Sequence, residues 1–359
     1  MFAVIVAVAI PLLFLALVRW LDLYASGSFR TVILCLAWGA VAFFLALQVN
    51  TFAVRFVGYT LLLTLVAPII EEVLKSLALV YLVRRPDFTY FVDGAIYGFA
   101  AGAAFAMLEN LLYLSRADVQ TGALVALSRG FSTALMHGSA SALVGVALGR
   151  LRFSRGPGRV ASLLLGWAAA MTLHITFNNV VNANWGLLTL GLAVLIGLGG
   201  VGLTIAFIFW GLAEERRWLQ ETLTLAVGVS AGEAAVVQQM ADLDALLAPV
   251  AEHFGPVKRQ EVARFLQLQA QLGLKRKAQS LTHDPALATA LADQVAGLRQ
   301  EMDTLRRTVG VYCMAYVRSI LPPASEPLWE RLALATDAAA AMPAGRTLWG
   351  ALGERMGNE

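Results

Sequence analysis

The chain is short of charge. Of its 359 residues only 14% are Asp, Glu, Lys or Arg, against 58% hydrophobic residues and a mean hydropathy of +0.69. That shortage excludes an ordinary soluble globular protein. Cysteine is almost missing too. Cys35 lies in an apolar run and Cys313 far downstream, neither with an evident partner, so no disulfide framework is implied. No basic patch is interleaved with aromatics, and the net charge of +3 is not a nucleic-acid signature. There is no H-E-x-x-H, which removes one common zinc-protease helix signature, and no internal repeat of the kind many transporters show. The first apolar run has neither a basic leading segment nor a small-residue cleavage site, so it reads as a retained helix rather than a signal sequence.

What the chain has in abundance is apolar runs of membrane-spanning length. A helix needs roughly 20 apolar residues to cross a bilayer. Seven stretches qualify: Met1–Val18, Thr31–Val49, Phe56–Val83, Val92–Ser115, Gly122–Gly149, Val160–Asn182 and Gly186–Leu212. The expected fold is all-α, a polytopic transmembrane helical bundle over residues 1–212, followed by a soluble helical domain over 213–359. Cytoplasmic loops accumulate Lys and Arg. One set of connections holds Arg19, Arg30, Arg84, Arg85, Arg150, Arg152, Arg155, Arg159, Arg216 and Arg217, and the other only Arg55 and Arg116. That bias predicts an integral membrane protein with the N-terminus outside and the C-terminal domain in the cytoplasm.

Against this greasy background, four polar clusters stand out: Glu71-Glu72-x-x-Lys75, Glu109-Asn110, His137, and His174-x-x-x-Asn178. Ionisable groups at bilayer depth cost several kcal/mol each, so they mark function more often than decoration. At about 1.5 Å of rise per residue, counted from the cytoplasmic end, Glu71 and His137 lie about 18 Å up, His174 about 21 Å and Glu109 about 25 Å. Four helices of alternating direction thus place polar groups in one layer, as a single hydrated cavity would require. Neighbours on a helix point about 100° apart, so Glu71 and Glu72 cannot both face that cavity. One is expected to face it and the other to be held by Lys75, which is three residues from Glu72 and four from Glu71, or by a neighbouring backbone. On the fourth span Gly94, Gly98 and Gly102 form a smooth ridge that permits close helix approach.

Taken together, Pro68-Ile-Ile-Glu71-Glu72-Val-Leu-Lys75, Asp93-Gly-Ala-Ile-Tyr-Gly98 running to Phe105-Ala-Met-Leu-Glu109-Asn110, His137-Gly138, and His174-Ile-Thr-Phe-Asn178 resemble the PrsW-type intramembrane proteases. That family belongs with the CAAX prenyl-endopeptidases in a group of glutamate-dependent membrane proteases. The resemblance covers roughly residues 56 to 182, with Glu109 standing where the prenyl-endopeptidase branch carries histidine. It implies hydrolysis of a peptide bond in or near the membrane. It also implies a membrane-protein substrate, in several members a single-span anti-sigma factor.

The chemistry can be reasoned beside the resemblance. Peptide hydrolysis needs an activated water and donors for the tetrahedral oxyanion. A carboxylate buried beside another is pushed toward the range of a useful base, which points to Glu71. By resemblance, Glu109 orients the water and His174 and Asn178 donate to the oxyanion, while His137 serves either task. Glu72 is then a structural or electrostatic partner, with Lys75 as its counter-charge. This version needs no cofactor. The alternative is a metal-dependent protease in which Glu71, Glu109, His137 and His174 hold Zn²⁺. A non-catalytic scaffold or a transporter would use the same layer differently, and any one of these residues by itself reads equally well as interhelical hydrogen-bonding glue.

Two features fall outside this pattern. Gly197-Leu-Gly199-Gly-Val-Gly202 spells the dinucleotide fingerprint, but it lies inside the seventh apolar run with no strand before it, and reads as a packing surface. The tail has apolar residues at helical spacing, with Leu298, Met302, Leu305, Val309, Tyr312 and Tyr316 placed on one face of a long helix. Breaks are predicted near Pro249, Gly255-Pro256, His283-Asp284-Pro285 and Pro322-Pro323. A sensing, recruiting or regulatory role is expected of it.

Overall fold

The structure, a computed structural model, describes residues 2–24, 27–116, 122–153, 157–223, 237 and 243–320. Among these residues the regular structure is entirely helical. In the first part of the chain run α1 (Phe2–Trp20), α2 (Phe29–Val57), the single turn α3 (Tyr59–Leu61), α4 (Ala67–Leu82), α5 (Phe91–Leu114), α6 (Gly122–Arg129), α7 (Leu135–Leu151), α8 (Pro157–Ala183) and α9 (Leu187–Thr222). The tail supplies α10 (Leu243–Leu246), α11 (Ala248–Leu281), α12 (Pro285–Val309) and α13 (Val311–Ile320).

Among the described residues, six helical stretches are long and apolar enough to cross a membrane: Phe2–Trp20, Phe29–Val57, Phe91–Leu114, Leu124–Leu151, Val160–Ala183 and Leu187–Thr222. The expected third span, Phe56–Val83, is not one unbroken apolar helix. The chain turns at Gly58 (φ 75), and the helical run after it carries Glu71, Glu72 and Lys75. Between α3 and α4 lies a π turn, Leu62–Val66, where the Ala67 N–H bonds to the Leu62 carbonyl rather than to that of Leu63. Pro68 explains it. With no N–H of its own, Pro68 leaves carbonyls in the preceding turn without a backbone donor. Those of Leu63 and Thr64 are taken instead by the side-chain amides of Asn178 (2.8 Å) and Asn179 (3.1 Å) of α8. A proline kink is thereby stitched to a neighbouring helix. Tertiary contacts keep α4 in place further along: the indole N–H of Trp38 donates to the Leu74 carbonyl and that of Trp167 to Ser76 Oγ, each at 3.0 Å.

At the centre of the bundle, α5 and α7 are buried along almost their whole length. The glycine ridge is why they can be. A Cβ at Gly94, Gly98 or Gly102 would come within 2.1–2.2 Å of the carbonyl oxygens of Gly145, Ser141 and His137 respectively. The two backbones therefore touch along three turns, which places His137 opposite the last glycine of the ridge. Within the apparent nucleotide fingerprint, Gly197 abuts the backbone of Phe131 and Ser132 and Gly200 abuts Ser139, while Gly199 and Gly202 face open space.

The tail docks on the end of the bundle that carries Arg84, Arg85 and Arg150. Lys275 Nζ donates to the Pro86 carbonyl at 2.5 Å, Gln294 to Asp87 Oδ1 at 2.8 Å, and Lys277 pairs with Glu221. Trp218 stacks with Tyr90 at 4.4 Å, and the apolar core runs without a gap from Leu219 into Val262, Phe265 and Leu266 of α11. The breaks at Gly255 (φ 85) and His283-Asp284-Pro285 occur where expected; Asp284 caps α12 by accepting from the Ala286 and Leu287 N–H groups. The expected single long helix through Tyr316 is interrupted, because Gly310 (φ 88) separates α12 from α13 and leaves Tyr312 on the surface. The Pro322-Pro323 break lies outside the described residues.

Candidate active site

The four polar clusters converge on one cavity of about 320 Å³, at the end of the bundle opposite the docked tail. Its mouth is formed by Tyr59, Tyr113, Arg116 and Asn182, and its floor by Glu71, Glu109, His137 and His174. Glu71 is the member of the acidic pair that faces in: Oε1 accepts from Asn50 Nδ2 at 3.1 Å, and Oε2 lies 3.8 Å from His174 Nε2. Glu72, one residue on, is fully buried and turned away. Its Oε1 accepts from Lys75 Nζ at 2.6 Å and from His174 Nδ1 at 2.8 Å. Lys75 thus pairs with the residue three positions before it.

The contacts continue around the floor. Lys75 Nζ is 2.9 Å from His137 Nδ1, and His137 Nε2 is 3.3 Å from Glu109 Oε2. The two imidazoles meet edge to face with centroids 4.6 Å apart, and the Phe105 ring closes one side of the Lys75 ammonium at 5.0 Å. Glu71, His174, Glu72, Lys75, His137 and Glu109 therefore form one unbroken chain of polar contacts drawn from four helices. Buried ionic groups are tolerated only when matched in this way.

Asn178 lines the cavity, but its amide nitrogen is committed to the Leu63 carbonyl. Two residues at the site were missed in the sequence. Arg129, in the last turn of α6, donates through Nη2 to Glu109 Oε2 (2.8 Å) and through Nε to Asn110 Oδ1 (2.9 Å), and stacks over Tyr113 at 3.8 Å. Asn50 fixes Glu71. Arg129 had a readable signal: a lone cation in the first turns of an apolar run, with no acid three or four residues away, must find its partner on another helix.

These contacts also set what each imidazole can do. Because Nδ1 of His174 faces the carboxylate of Glu72, it carries the proton and leaves the Nε2 lone pair turned toward Glu71. This is the carboxylate–histidine arrangement found behind many metal ligands. Glu71, His137 and His174 can each bring one ligand atom within 4.8 Å of the others, all three buried. An N/O donor set of that composition suits zinc and similar divalent ions.

A multi-span helical bundle with a buried carboxylate–imidazole cluster opening to one end is the class that fold and site define: a multi-pass membrane protein with the makings of a hydrolytic centre. The family follows from comparison. The family profile described as "PrsW family intramembrane metalloprotease" matches residues 27–213, more than half of the chain, and the chain belongs to that family. It is also 34% identical over 123 residues to Protease PrsW of Bacillus subtilis (strain 168). The aligned stretch is 32% of this chain and 53% of that protein, so the chain spans about half the length of the curated relative it matches. No solved structure matches the chain.

Proposed function

We propose that this protein is an intramembrane endopeptidase whose reaction centre is the cavity floored by Glu71, Glu109, His137 and His174. The observation that carries the reading is the meeting of Glu71, His137 and His174, from three separate helices, within 4.8 Å of one another at the foot of an open cavity. A scaffold has no use for so costly an assembly of buried charge.

The donor set fits a divalent cation, with Glu71, His137 and His174 as the residues that would hold it and Glu109 adjoining through His137. When bound, such an ion polarises a peptide carbonyl and makes water a better nucleophile. The remaining tasks fall to the chain itself. Glu72 orients His174 and balances Lys75. Arg129 and His137 fix Oε2 of Glu109, while Oε1 has no partner among the described residues and can accept a proton from the attacking water. Tyr59, Phe177 and the apolar wall of α2 narrow the approach, which favours an unwound peptide segment over a folded one.

A metal-free version is favoured by one observation. An ammonium at Nδ1 of His137 leaves the proton on Nε2, making that ring a donor rather than a ligand. Glu71 is then the base, and the Nε2–H of His137 is the donor turned to the oxyanion, since His174 presents a lone pair there and the Asn178 amide is held by the Leu63 carbonyl. Chelator sensitivity together with metal analysis of purified protein separates the two versions.

The run from Tyr59 to Leu82 supplies a seventh crossing in this reading, and the arginine bias puts the N-terminus outside and the tail, residues 213–359, in the cytoplasm of a bacterium. The client is a membrane protein of the single-span kind, an anti-sigma factor being the example that the family resemblance suggests. The test is quantitative membrane proteomics of matched strains carrying wild-type protein or Glu71→Gln. One intact single-pass protein should accumulate in the mutant; indistinguishable proteomes would remove the proposal.

A further inference from the structure

One wall of the reaction cavity is tied down far less than the others. Residues 59–66, the turn α3 and the π turn after it, present Tyr59, Leu62 and Leu63 to the cavity and leave Thr60, Leu61 and Leu65 exposed on the outside of the bundle. The segment packs against both α2 and α8, whose Asn50 on one side and Phe177 and Val181 on the other continue the lining. At its leading end Gly58 holds φ 75, a conformation that side chains rarely adopt, and a Cβ there would meet nothing within 4 Å, so no neighbour packs on the turn. At its far end the π turn and Pro68 interrupt the regular helical ladder. The backbone can therefore swing at both ends without breaking an ordered helix. Among the described residues, only two hydrogen bonds tie the segment to another helix: the Asn178 amide on the Leu63 carbonyl and the Asn179 amide on the Thr64 carbonyl. Asn179 also donates to the Ile175 carbonyl of its own helix at 2.8 Å, so it keeps a partner if the segment leaves. The rest of α4 is fixed more firmly, by burial and by the indoles of Trp38 and Trp167.

We propose that residues 59–66 are a gate through which the membrane segment of the client enters the cavity sideways from lipid, with Asn178 and Asn179 as its latch. This rests on the reaction-centre reading above, in which the segment covers about 12 Å of the outer leaflet at about 1.5 Å of rise per residue. A single-span client lies in hydrocarbon, where its backbone groups cannot stay unpaired, so it unwinds only where polar partners meet it. A sideways entrance at the depth of the cavity meets that condition. Opening also withdraws the Leu63 carbonyl and frees the Asn178 amide toward the cavity that this residue lines. Entry of the client and release of a polar group to meet it are then one event.

The test is the position of the segment, read without any cleavage. Full-length protein carrying Cys35→Ala and Cys313→Ala is spin-labelled at Leu61→Cys and Leu165→Cys, both exposed sites, and the distance between the labels is measured in lipid nanodiscs by pulsed electron paramagnetic resonance. With the latch intact one short distance should dominate. Adding Asn178→Ala and Asn179→Ala together should raise the ratio of long to short distances about tenfold or more, the effect of two lost hydrogen bonds. Since the double change can disturb folding, Asn179→Ala alone, on the exposed face, is the milder variant and should raise the ratio about threefold or more. Superimposable distances in all three proteins would overturn the proposal. In a second arm, Thr64→Cys and Asn179→Cys joined by a short cleavable linker should stop cutting of the membrane client, and cutting should return once the linker is split. A linked protein that cuts at the unlinked rate would equally remove the gate. If no variant cuts any client, the reaction-centre reading falls, while the label distances still decide whether the segment opens.

Discussion

His174 Nδ1 lies 2.8 Å from Glu72 Oε1, and this contact, through a carboxylate that never faces the cavity, decides which nitrogen of His174 does. Glu72 is therefore a positioning residue. Glu72→Gln should keep the fold but lose the fixed tautomer and the charge that balances Lys75. The expected cost is about 10–100-fold in activity or metal affinity, the usual range for outer-shell partners of a ligating histidine. Nitrogen chemical shifts of His174 should change in the same variant.

Gly98 stands against the Ser141 carbonyl with only 2.2 Å available to a Cβ. Gly98→Ala must push α5 and α7 apart and carry His137 out of register. The loss should be at least about 1–3 kcal/mol, typical of overpacking, visible as a lower unfolding temperature together with reduced activity.

Pro68 shapes α4 from outside the cavity. Pro68→Ala returns an N–H to α4, allows an ordinary α register and releases Asn178 from the Leu63 carbonyl. Thermal stability should hold or rise while activity falls by up to about 100-fold, the scale of a misplacement near 1 Å. A loss of stability in parallel with activity would contradict this account of the π turn.

Arg129 holds Glu109 and Asn110 with one planar fork. Lys has no such fork, so Arg129→Lys should restore only part of the activity lost in Arg129→Gln, with both variants reduced by about tenfold or more. Steady-state kinetics should show the loss mainly in kcat.

Much of this site was readable in advance. The four polar motifs could be found because charge is so scarce around them, and their common depth followed from helix rise alone. Spacing alone leaves open which of Glu71 and Glu72 pairs with Lys75, since a residue three from one and four from the other can reach either; Glu71 is singled out as the base by its chemistry. The cross-helix partners were harder. Asn50 sits just past an expected span end, and Arg129 was absorbed into the apolar run that follows it. The π turn needed Pro68 to be read together with two asparagines over a hundred residues away. In the tail, Gly310 inside a regular apolar pattern gave only a weak sign of the break, because periodicity continues across it.

Lys275 provides a pH signature for tail docking. Burial holds its ammonium down to about 8, and Asp93 only partly offsets this. In the unfolded chain the group titrates near about 10.4, so between these values the unfolded state binds more protons and stability rises with pH. The contribution is fully present above the unfolded value and lost as pH falls through about 8. Thermal unfolding from about pH 7.5 to about 10 should show that rise, and Lys275→Met should flatten it.

The most direct test of the proposed reaction centre is cleavage of whichever membrane protein accumulates in the Glu71→Gln strain by the purified protein in proteoliposomes, comparing wild type with Glu71→Gln and His174→Ala. Wild type should cut, and each variant should lose about 100-fold or more while unfolding at a similar temperature. A Glu71→Gln protein that cuts at the wild-type rate would contradict the account.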